Sequence, residues 1–215
     1  MFSGKTLIIT GGAGGIGGAI GRRFGAAGAR IVAVDRDAEA LDAYVQSLAD
    51  AGIKAHAHAC DITEDDAAAD AVQAACNRFD GIDVIVHCAG LTQISPCRDT
   101  DLEVYRRVME VNFFATVAWT KAALESLIAR RGQIIVLSSV AGFAPLLART
   151  GYCASKHALH GFFDTLRAEL ADDGVGVTLV CPSFTDTRFA ASGLAGDGST
   201  VGFDRATMGV PLSPE

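Results

Sequence analysis

A chain of 215 residues, half of them apolar and 20% charged, has the composition of one folded domain around a single substantial core. Its formal net charge of −7 speaks against a general nucleic-acid binder, which needs a basic stripe to neutralise phosphates. Six scattered cysteines without a Cys-x-x-Cys pair, and five histidines without His-x-x-x-His spacing, point to reduced, mostly buried thiols in a cytoplasmic protein and to no metal site.

Met1 to Lys5 leads straight into a short apolar stretch, too brief for a signal core or a bilayer span, so no membrane association is expected. Lys5 to Thr10 reads as a buried strand followed at once by a glycine-rich turn. Gly17 to Gly28 carries helical periodicity through Ile20, Phe24 and Ala27, and Ala29 to Asp35 is a second strand. Asp37 to Ala51 is helical and closed by Gly52, and Ile53 to Cys60 is a weaker strand. Thr63 is placed to cap a helix running to Phe79, with Glu64, Asp65 and Asp66 at its positive end. Ile82 to His87 is the next strand, Leu91 to Thr100 a polar loop, and one long helix is expected from Leu102 to Arg130. Gln133 to Ser138, Gly151 to Asp172 and Gly176 to Cys181 then read as strand, helix and strand.

Near-continuous apolar cores such as Leu7-Ile8-Ile9 and Ile134-Ile135-Val136-Leu137 belong to strands covered on both faces. Their alternation with helices predicts an α/β fold: a doubly wound parallel sheet in three α/β/α layers, the Rossmann arrangement. A single dinucleotide-binding domain is expected over residues 1–215, with a flap or tail from about residue 184. Ala190 to Glu215 is rich in Gly, Ser, Thr and Asp with little periodicity. It reads either as a mobile tail or as part of a longer natural chain whose last elements are missing.

The turn Thr10-Gly11-Gly12-Ala13-Gly14-Gly15-Ile16-Gly17 joins the first strand to the first helix. Positive φ is costly for any residue with a Cβ, and a Cβ would hold a pyrophosphate away from the backbone amides. The helix that begins here offers unpaired N–H groups and a partial positive charge. Gly11, Gly14, Gly15, Ile16 and Gly17 are therefore expected to cradle dinucleotide phosphates; a tight turn without a ligand is the alternative. Asp35 ends the second strand, where a carboxylate accepts both adenosine ribose hydroxyls and repels a 2′-phosphate. That favours NAD over NADP. Arg36 pulls the other way, because a guanidinium binds phosphate bidentately, and Asp35 also reads as a cap for the next helix.

Tyr152 and Lys156 lie four apart in a helical segment and so share a face. A phenol, with a pKa of about 10, is a poor base at neutral pH. An ammonium beside it stabilises the phenolate, as does the positive nicotinamide of an oxidised cofactor. Ser139 ends the preceding strand, at the carboxyl edge where open α/β sheets bind ligands, placed to hold a substrate oxygen while Tyr152 moves the proton. Tyr-x-x-x-Lys alone is commonplace; the upstream serine and the dinucleotide turn give it meaning.

Together these motifs resemble the short-chain dehydrogenase/reductase family, over the span from Lys5 to Arg188. The family's Thr-Gly-x-x-x-Gly-x-Gly turn matches Thr10, Gly11, Gly15 and Gly17, and its Asp-Val adenine contact matches Asp61-Ile62. Its asparagine matches Asn112, its serine Ser139, its Tyr-x-x-x-Lys pair Tyr152 and Lys156, and its cofactor-contacting threonine Thr187. His87-Cys88-Ala89-Gly90 stands where the family has Asn-Asn-Ala-Gly, which demands other hydrogen bonds near the central strands. Pro182-Ser183 stands for Pro-Gly beside the nicotinamide carboxamide. Ala89, Gly90 and Pro182 complete the expected cofactor contacts.

The resemblance implies hydride transfer between a nicotinamide cofactor and a secondary alcohol or ketone, with Tyr152 as general acid or base. It implies that Lys156 lowers the Tyr152 pKa and holds the ribose hydroxyls, that Ser139 polarises the substrate oxygen, and that Asn112 positions a water linking Lys156 to solvent. The segments around Asn112, Ser139 and Tyr152 are similar to the steroid- and retinoid-active branch, which implies a hydrophobic substrate. Thr92, Gln93, Phe143, Leu146, Leu147, Arg149, Phe184 and Phe189 are candidate pocket residues. Phe143, Leu146 and Leu147 read equally well as cover for the sheet edge or as a subunit contact. Arg149 either reads a substrate carboxylate or is a solvated loop arginine. The helix from Phe113 to Ile128 is apolar on more than one side. The family implies homodimers or homotetramers packed there, with burial under further C-terminal elements as the competing account. Rival functions are a non-catalytic dinucleotide-sensing protein and a same-fold epimerase or dehydratase.

Overall fold

The computed structural model describes residues 2–187, 189, 191–201 and 211–214. Thr6–Thr10 forms β1 with all five residues buried, as an unbroken apolar run between two helical layers requires. β2 (Arg30–Asp35), β3 (Ala55–Ala59), β4 (Val84–His87), β5 (Gln133–Leu137) and β6 (Gly176–Val180) complete one sheet. Every pairing is parallel and the spatial order is β3-β2-β1-β4-β5-β6. The chain winds outward from β1, returns to β4 and winds the other way. The switch opens a crevice beyond the carboxyl ends of β1 and β4.

Side-chain alternation divides the core between two faces. Ile8, Val32, Ile85, Ile134 and Val136 meet α3 (Ala67–Phe79), α5 (Ala115–Arg130) and α6 (Thr150–Glu169). Leu7, Ile9, Ile31, Ala33 and Val86 meet α1 (Gly15–Ala26) and α2 (Ala38–Asp50). The result is the expected three-layer Rossmann arrangement. Trp119 and Phe163 are wholly buried, each worth roughly 1.5–3 kcal/mol of transfer free energy, and they fill the α3–α5–α6 side. On the other side, Thr178 and Val180 of β6 are exposed. No helix among the described residues is long and apolar enough to cross a membrane.

Two joints differ from expectation. The helix foreseen from Leu102 to Arg130 is interrupted: α4 (Leu102–Met109) passes through a π turn, Glu110–Phe114, before α5 begins. A single widened turn barely disturbs apolar periodicity, yet it re-aims the residues it contains, and here it carries the buried Asn112. Thr63 does not cap α3. It turns back on Asp61, donating to Oδ1 from its backbone N (3.0 Å) and its Oγ1 (2.7 Å), and α3 starts only at Ala67. A local side-chain turn has outcompeted the cap.

The described part of the foreseen flap is bonded within itself and, through Leu194, to the loop after β4. Asp186 N donates to Leu212 O and Leu212 N to Phe184 O, both at 2.8 Å. Leu194 N donates to Thr92 O and Ile94 N to Leu194 O, again at 2.8 Å, with Leu194 buried among Leu91, Val104 and Val108. Arg188, Ala190, residues 202–210 and Glu215 lie outside the described residues.

Candidate active site

Gly11 has φ of +67°, and a Cβ there would stand 2.8 Å from Ala89 N, so the turn after β1 and the loop after β4 touch backbone to backbone. A Cβ on Gly17 would run into the Gly11 carbonyl oxygen. α1 opens on Gly14 with no side-chain cap and no acidic residue in its first turn. Its unpaired N–H groups and the positive end of its dipole are thus available at the crevice, whose wall includes Gly11, Gly14, Gly15, Ile16 and Gly17. This cradle fits a pyrophosphate: its glycines bring backbone donors to the cavity wall, with the Ile16 and Thr187 side chains beside them.

The crevice is a cavity of about 950 Å³. At one end stand Asp35 and Arg36. Asp35 Oδ2 accepts from Ala13 N at 3.2 Å and Oδ1 from Asp37 N at 3.3 Å. The cap of α2 is Asp37, whose Oδ1 accepts from Ala40 N at 3.0 Å, so Asp35 does not serve as that cap. Asp61 and Ile62 form the neighbouring wall. Burial works against the Asp61 carboxylate, but hydrogen bonds from Thr63 and the charges of Arg36 and Arg107 outweigh it and hold its pKa below the usual value. The Ile62 carbonyl is held by Trp119 Nε1 at 3.1 Å. Ala89 and Gly90 line the middle of the cavity, where the Ala89 N–H reaches Thr10 Oγ1 at 3.4 Å.

At the other end the cavity meets Ser139, Tyr152 and Lys156, with Pro182 and Thr187 also on its wall. Lys156 and Tyr152 are buried on α6, with Lys156 Nζ 5.7 Å from the centre of the Tyr152 ring. Lys156 Nζ donates to Leu137 O at 2.7 Å, which anchors it to the end of β5. Burial pushes its pKa down to about 8, opposed by the Cys88 and Cys181 thiols. Ser139 Oγ accepts from Ala141 N at 3.2 Å, so its own proton is not used by that bond. The Tyr152 ring also lies 5.9 Å from the ring of Phe189. A phenol, an ammonium and a hydroxyl donor at one end, with an anion cradle at the other, can handle a substrate oxygen beside a bound dinucleotide.

Asn112, alone among the candidate catalytic and cofactor-binding residues, is not on the cavity wall. Its Nδ2 donates to Leu91 O and Ser155 Oγ, both at 2.8 Å, and its Oδ1 accepts from Leu91 N at 2.7 Å. Its side chain therefore stitches the loop after β4 to α6. The departure at His87 is accommodated by α5. His87 Nε2 meets Thr120 Oγ1 at 2.9 Å, and because that hydroxyl donates to Thr116 O, the histidine is the donor. Burial pushes the His87 pKa down to about 3. It pushes the neighbouring Cys88 thiol up to about 12, against the pull of Lys156.

Of the candidate pocket residues, Leu146, Arg149, Phe184 and Phe189 line the cavity. Phe143 and Leu147 do not: they are 64% and 99% exposed, outside it. Thr92 and Gln93 are wholly buried behind it, where Gln93 takes the Gly151 N–H at 3.2 Å and donates to Ser95 O at 2.7 Å. Arg149 is no solvated loop arginine, since it is only 6% exposed. Glu103, Arg106, Arg107 and Glu110 also line the cavity and were not singled out beforehand. Their i, i+4 spacing, which groups opposite charges on one helical face, was the available signal. Among the described residues no three His, Cys, Asp or Glu side chains gather as a metal site. His157 Nδ1 instead donates to Cys153 O at 2.8 Å, and His160 Nε2 meets Ser138 Oγ at 3.0 Å.

The family model for short chain dehydrogenase matches residues 5–196. Dehydrogenase/reductase SDR family member 7B of Bos taurus is 38% identical over an alignment of 216 positions that covers 97% of this chain and 66% of the bovine protein. The chain thus spans just under two thirds of that relative's length. An actinorhodin polyketide ketoreductase solved with NADPH is 31% identical with a TM-score of 0.85, over 89% of this chain and 76% of that one. A short chain dehydrogenase/reductase from Burkholderia phymatum, solved in complex with NAD, is 26% identical with a TM-score of 0.85, over 88% of this chain and 69% of that one.

Proposed function

The chain belongs to the short-chain dehydrogenase family, and from that premise we propose that it is an oxidoreductase moving a hydride between a nicotinamide dinucleotide and a small secondary alcohol or ketone. The observation that carries this reading is the single cavity shared by the glycine turn, Ser139, Tyr152 and Lys156 at the carboxyl edge of the sheet.

When bound, the dinucleotide supplies the carbon that gives or takes the hydride. Gly15, Ile16 and Gly17 bind its pyrophosphate through backbone N–H groups and the α1 dipole, while Gly14, whose N–H is taken by Gly11 O, keeps the turn closed. Asp35 and the Asp61-Ile62 pair hold the adenosine, while Ala89, Gly90, Pro182 and Thr187 flank the nicotinamide half. Ser139 donates a hydrogen bond to the substrate oxygen and keeps its proton. Tyr152 delivers a proton to that oxygen in reduction and removes it in oxidation. Lys156, cationic below about pH 8, steadies the phenolate and takes the ribose hydroxyls. Asn112 acts as a positioning residue that holds the loop after β4 against α6.

NAD is the preferred cofactor in this reading, because Asp35 stands on the wall where a 2′-phosphate would lie; Arg36 and Arg107 moderate the preference. Leu146, Phe184 and Phe189 favour a substrate with a hydrophobic body. Six free thiols suit a reducing, cytoplasmic setting. Phe114, 52% exposed at the start of α5, suits packing of α5 and α6 in a homodimer or homotetramer. The test is a fluorescence titration with NADH and NADPH, followed by turnover of a secondary-alcohol and ketone panel with the tighter cofactor. NADH should bind more tightly, and Asp35→Ala should narrow the gap. Tyr152→Phe should lower turnover by about 10²–10⁴ with dinucleotide affinity largely retained. Cofactor binding without turnover of any panel member would favour a dinucleotide sensor, and undiminished turnover in Tyr152→Phe would end the acid–base assignment.

A further inference from the structure

Tyr152 lies in the first turn of α6, where N–H groups lack the carbonyl partners of a helix interior. The N-cap residue, Arg149, gives that turn no side-chain bond. The N–H of Gly151, directly before Tyr152, is taken instead by Gln93 Oε1 at 3.2 Å, from 58 residues away in sequence. The other end of the same amide, Nε2, donates to Ser95 O at 2.7 Å and to Ala148 O at 3.4 Å. Ala148 leads into α6 with φ of +57°, a left-handed conformation uncommon for a residue with a Cβ, and Ser95 N also holds its carbonyl, at 3.0 Å. The three partners of the Gln93 side chain are all backbone groups, one donor and two acceptors, which fixes the direction of the amide. Its own backbone is pinned in a parallel bridge with Leu194 of the flap. Lys156 is held separately, by Leu137 O at 2.7 Å, and Asn112 reaches α6 at Ser155, one turn beyond Gly151. The placing of the phenol against the ammonium therefore depends on how the first turn of α6 is seated.

We propose that Gln93 is a positioning residue for the acid–base step: it caps α6 from the loop after β4 and so sets the Tyr152 phenol against Lys156 and the substrate oxygen. It acts through Gly151 alone, because it is wholly buried and not part of the cavity wall. Without it the buried Gly151 N–H loses its partner, and the turn that carries Tyr152 shifts to find another. The role in catalysis rests on the hydride-transfer reading above, but the seating of the phenol has a readout of its own.

Gln93→Met keeps the length of the side chain and removes both ends of the amide. Thr100→Val is the control: it deletes the contact between Ser95 Oγ and Thr100 Oγ1 in the same loop and leaves Gly151 untouched. Gln93→Met should lower kcat at least tenfold, with KM and NADH affinity changed less than threefold, the mark of a contact that matters in the transition state. The rise of kcat/KM with pH in alcohol oxidation should move up by half a unit or more, because the phenolate loses part of its support from Lys156. Thr100→Val should lower stability in urea yet keep the kcat and pH profile of the wild type. Gln93→Asn, one carbon too short to span Gly151 and Ser95, keeps a polar amide in the interior and should show the same kinetic change if Gln93→Met fails to fold. An unchanged kcat and profile in a folded Gln93 variant, or equal kinetic losses in Thr100→Val, overturns the proposal. If the wild type turns over no alcohol or ketone, the hydride-transfer reading falls, and the seating is then read from ultraviolet tyrosinate absorbance with Tyr152→Phe as the blank. The Tyr152 signal should still appear at higher pH in the Gln93 variant, and coincident titrations overturn the proposal.

Discussion

His87 offers a direct link between burial and pH at the strand beneath the candidate site. Its ring is 3% exposed and donates to Thr120 Oγ1, and burial pushes its pKa down to about 3. In the unfolded chain a histidine titrates at about 6.5. Between those two values the unfolded state binds a proton that the folded state refuses. Stability is therefore complete above about pH 6.5 and falls as pH drops toward 3. Each pH unit in that window costs about 1.4 kcal/mol, so moving from pH 6.5 to 5.0 should cost about 2 kcal/mol from this residue alone. His87→Asn keeps an N–H donor for Thr120 and removes the titration. Urea unfolding of both proteins, followed by far-UV circular dichroism at pH 7.5 and 5.0, isolates the effect, because other titrating groups are common to the two chains. The wild type should lose about 2 kcal/mol more than the variant, with equal m-values. Parallel losses would refute the reasoning, since they would mean that His87 accepts a proton inside the fold.

Three further outcomes follow from the geometry. Gly17→Ala should open the turn by forcing a Cβ onto the Gly11 carbonyl, weakening NADH binding by at least tenfold, with helical circular dichroism retained; unchanged affinity would contradict the cradle. Lys156 loses its charge as pH rises through about 8, so kcat/KM for carbonyl reduction should decline above that pH, and a profile flat to pH 10 would show that its charge is not needed. Asn112→Leu strands the Leu91 N–H and C=O in the interior, while Ser155 Oγ keeps its bond to Tyr152 O, so unfolding experiments should show a loss of about 3 kcal/mol; a loss under about 1 kcal/mol would mean that the stitch is dispensable.

Much of this protein was written into local patterns of residues. Runs such as Leu7-Ile8-Ile9 have nowhere to lie except between two helical layers, and the glycines from Gly11 to Gly17 answer a backbone demand that operates within a few residues. The four-residue spacing of Tyr152 and Lys156 puts both on one face of any helix, whatever surrounds it. Fold class, the glycine turn and the phenol–ammonium pair therefore follow from conformational rules that act over one or two turns of chain.

Other features were decided only when distant segments met. Asn112 turns inward through a widened helical turn because Leu91 and Ser155 are there to satisfy it, a gain invisible to periodicity. Thr63 abandons the cap of α3 for Asp61 once the loop closes. Phe143 and Leu147 are as apolar as Leu146, yet only Leu146 reaches the cavity. Arg149 is buried because Thr92, 57 residues away in sequence, is carried to it by the order of the strands. Dihedral preference and apolar spacing are local and can be read along the chain. Burial of a polar group depends on which partners topology delivers, and that is settled in three dimensions.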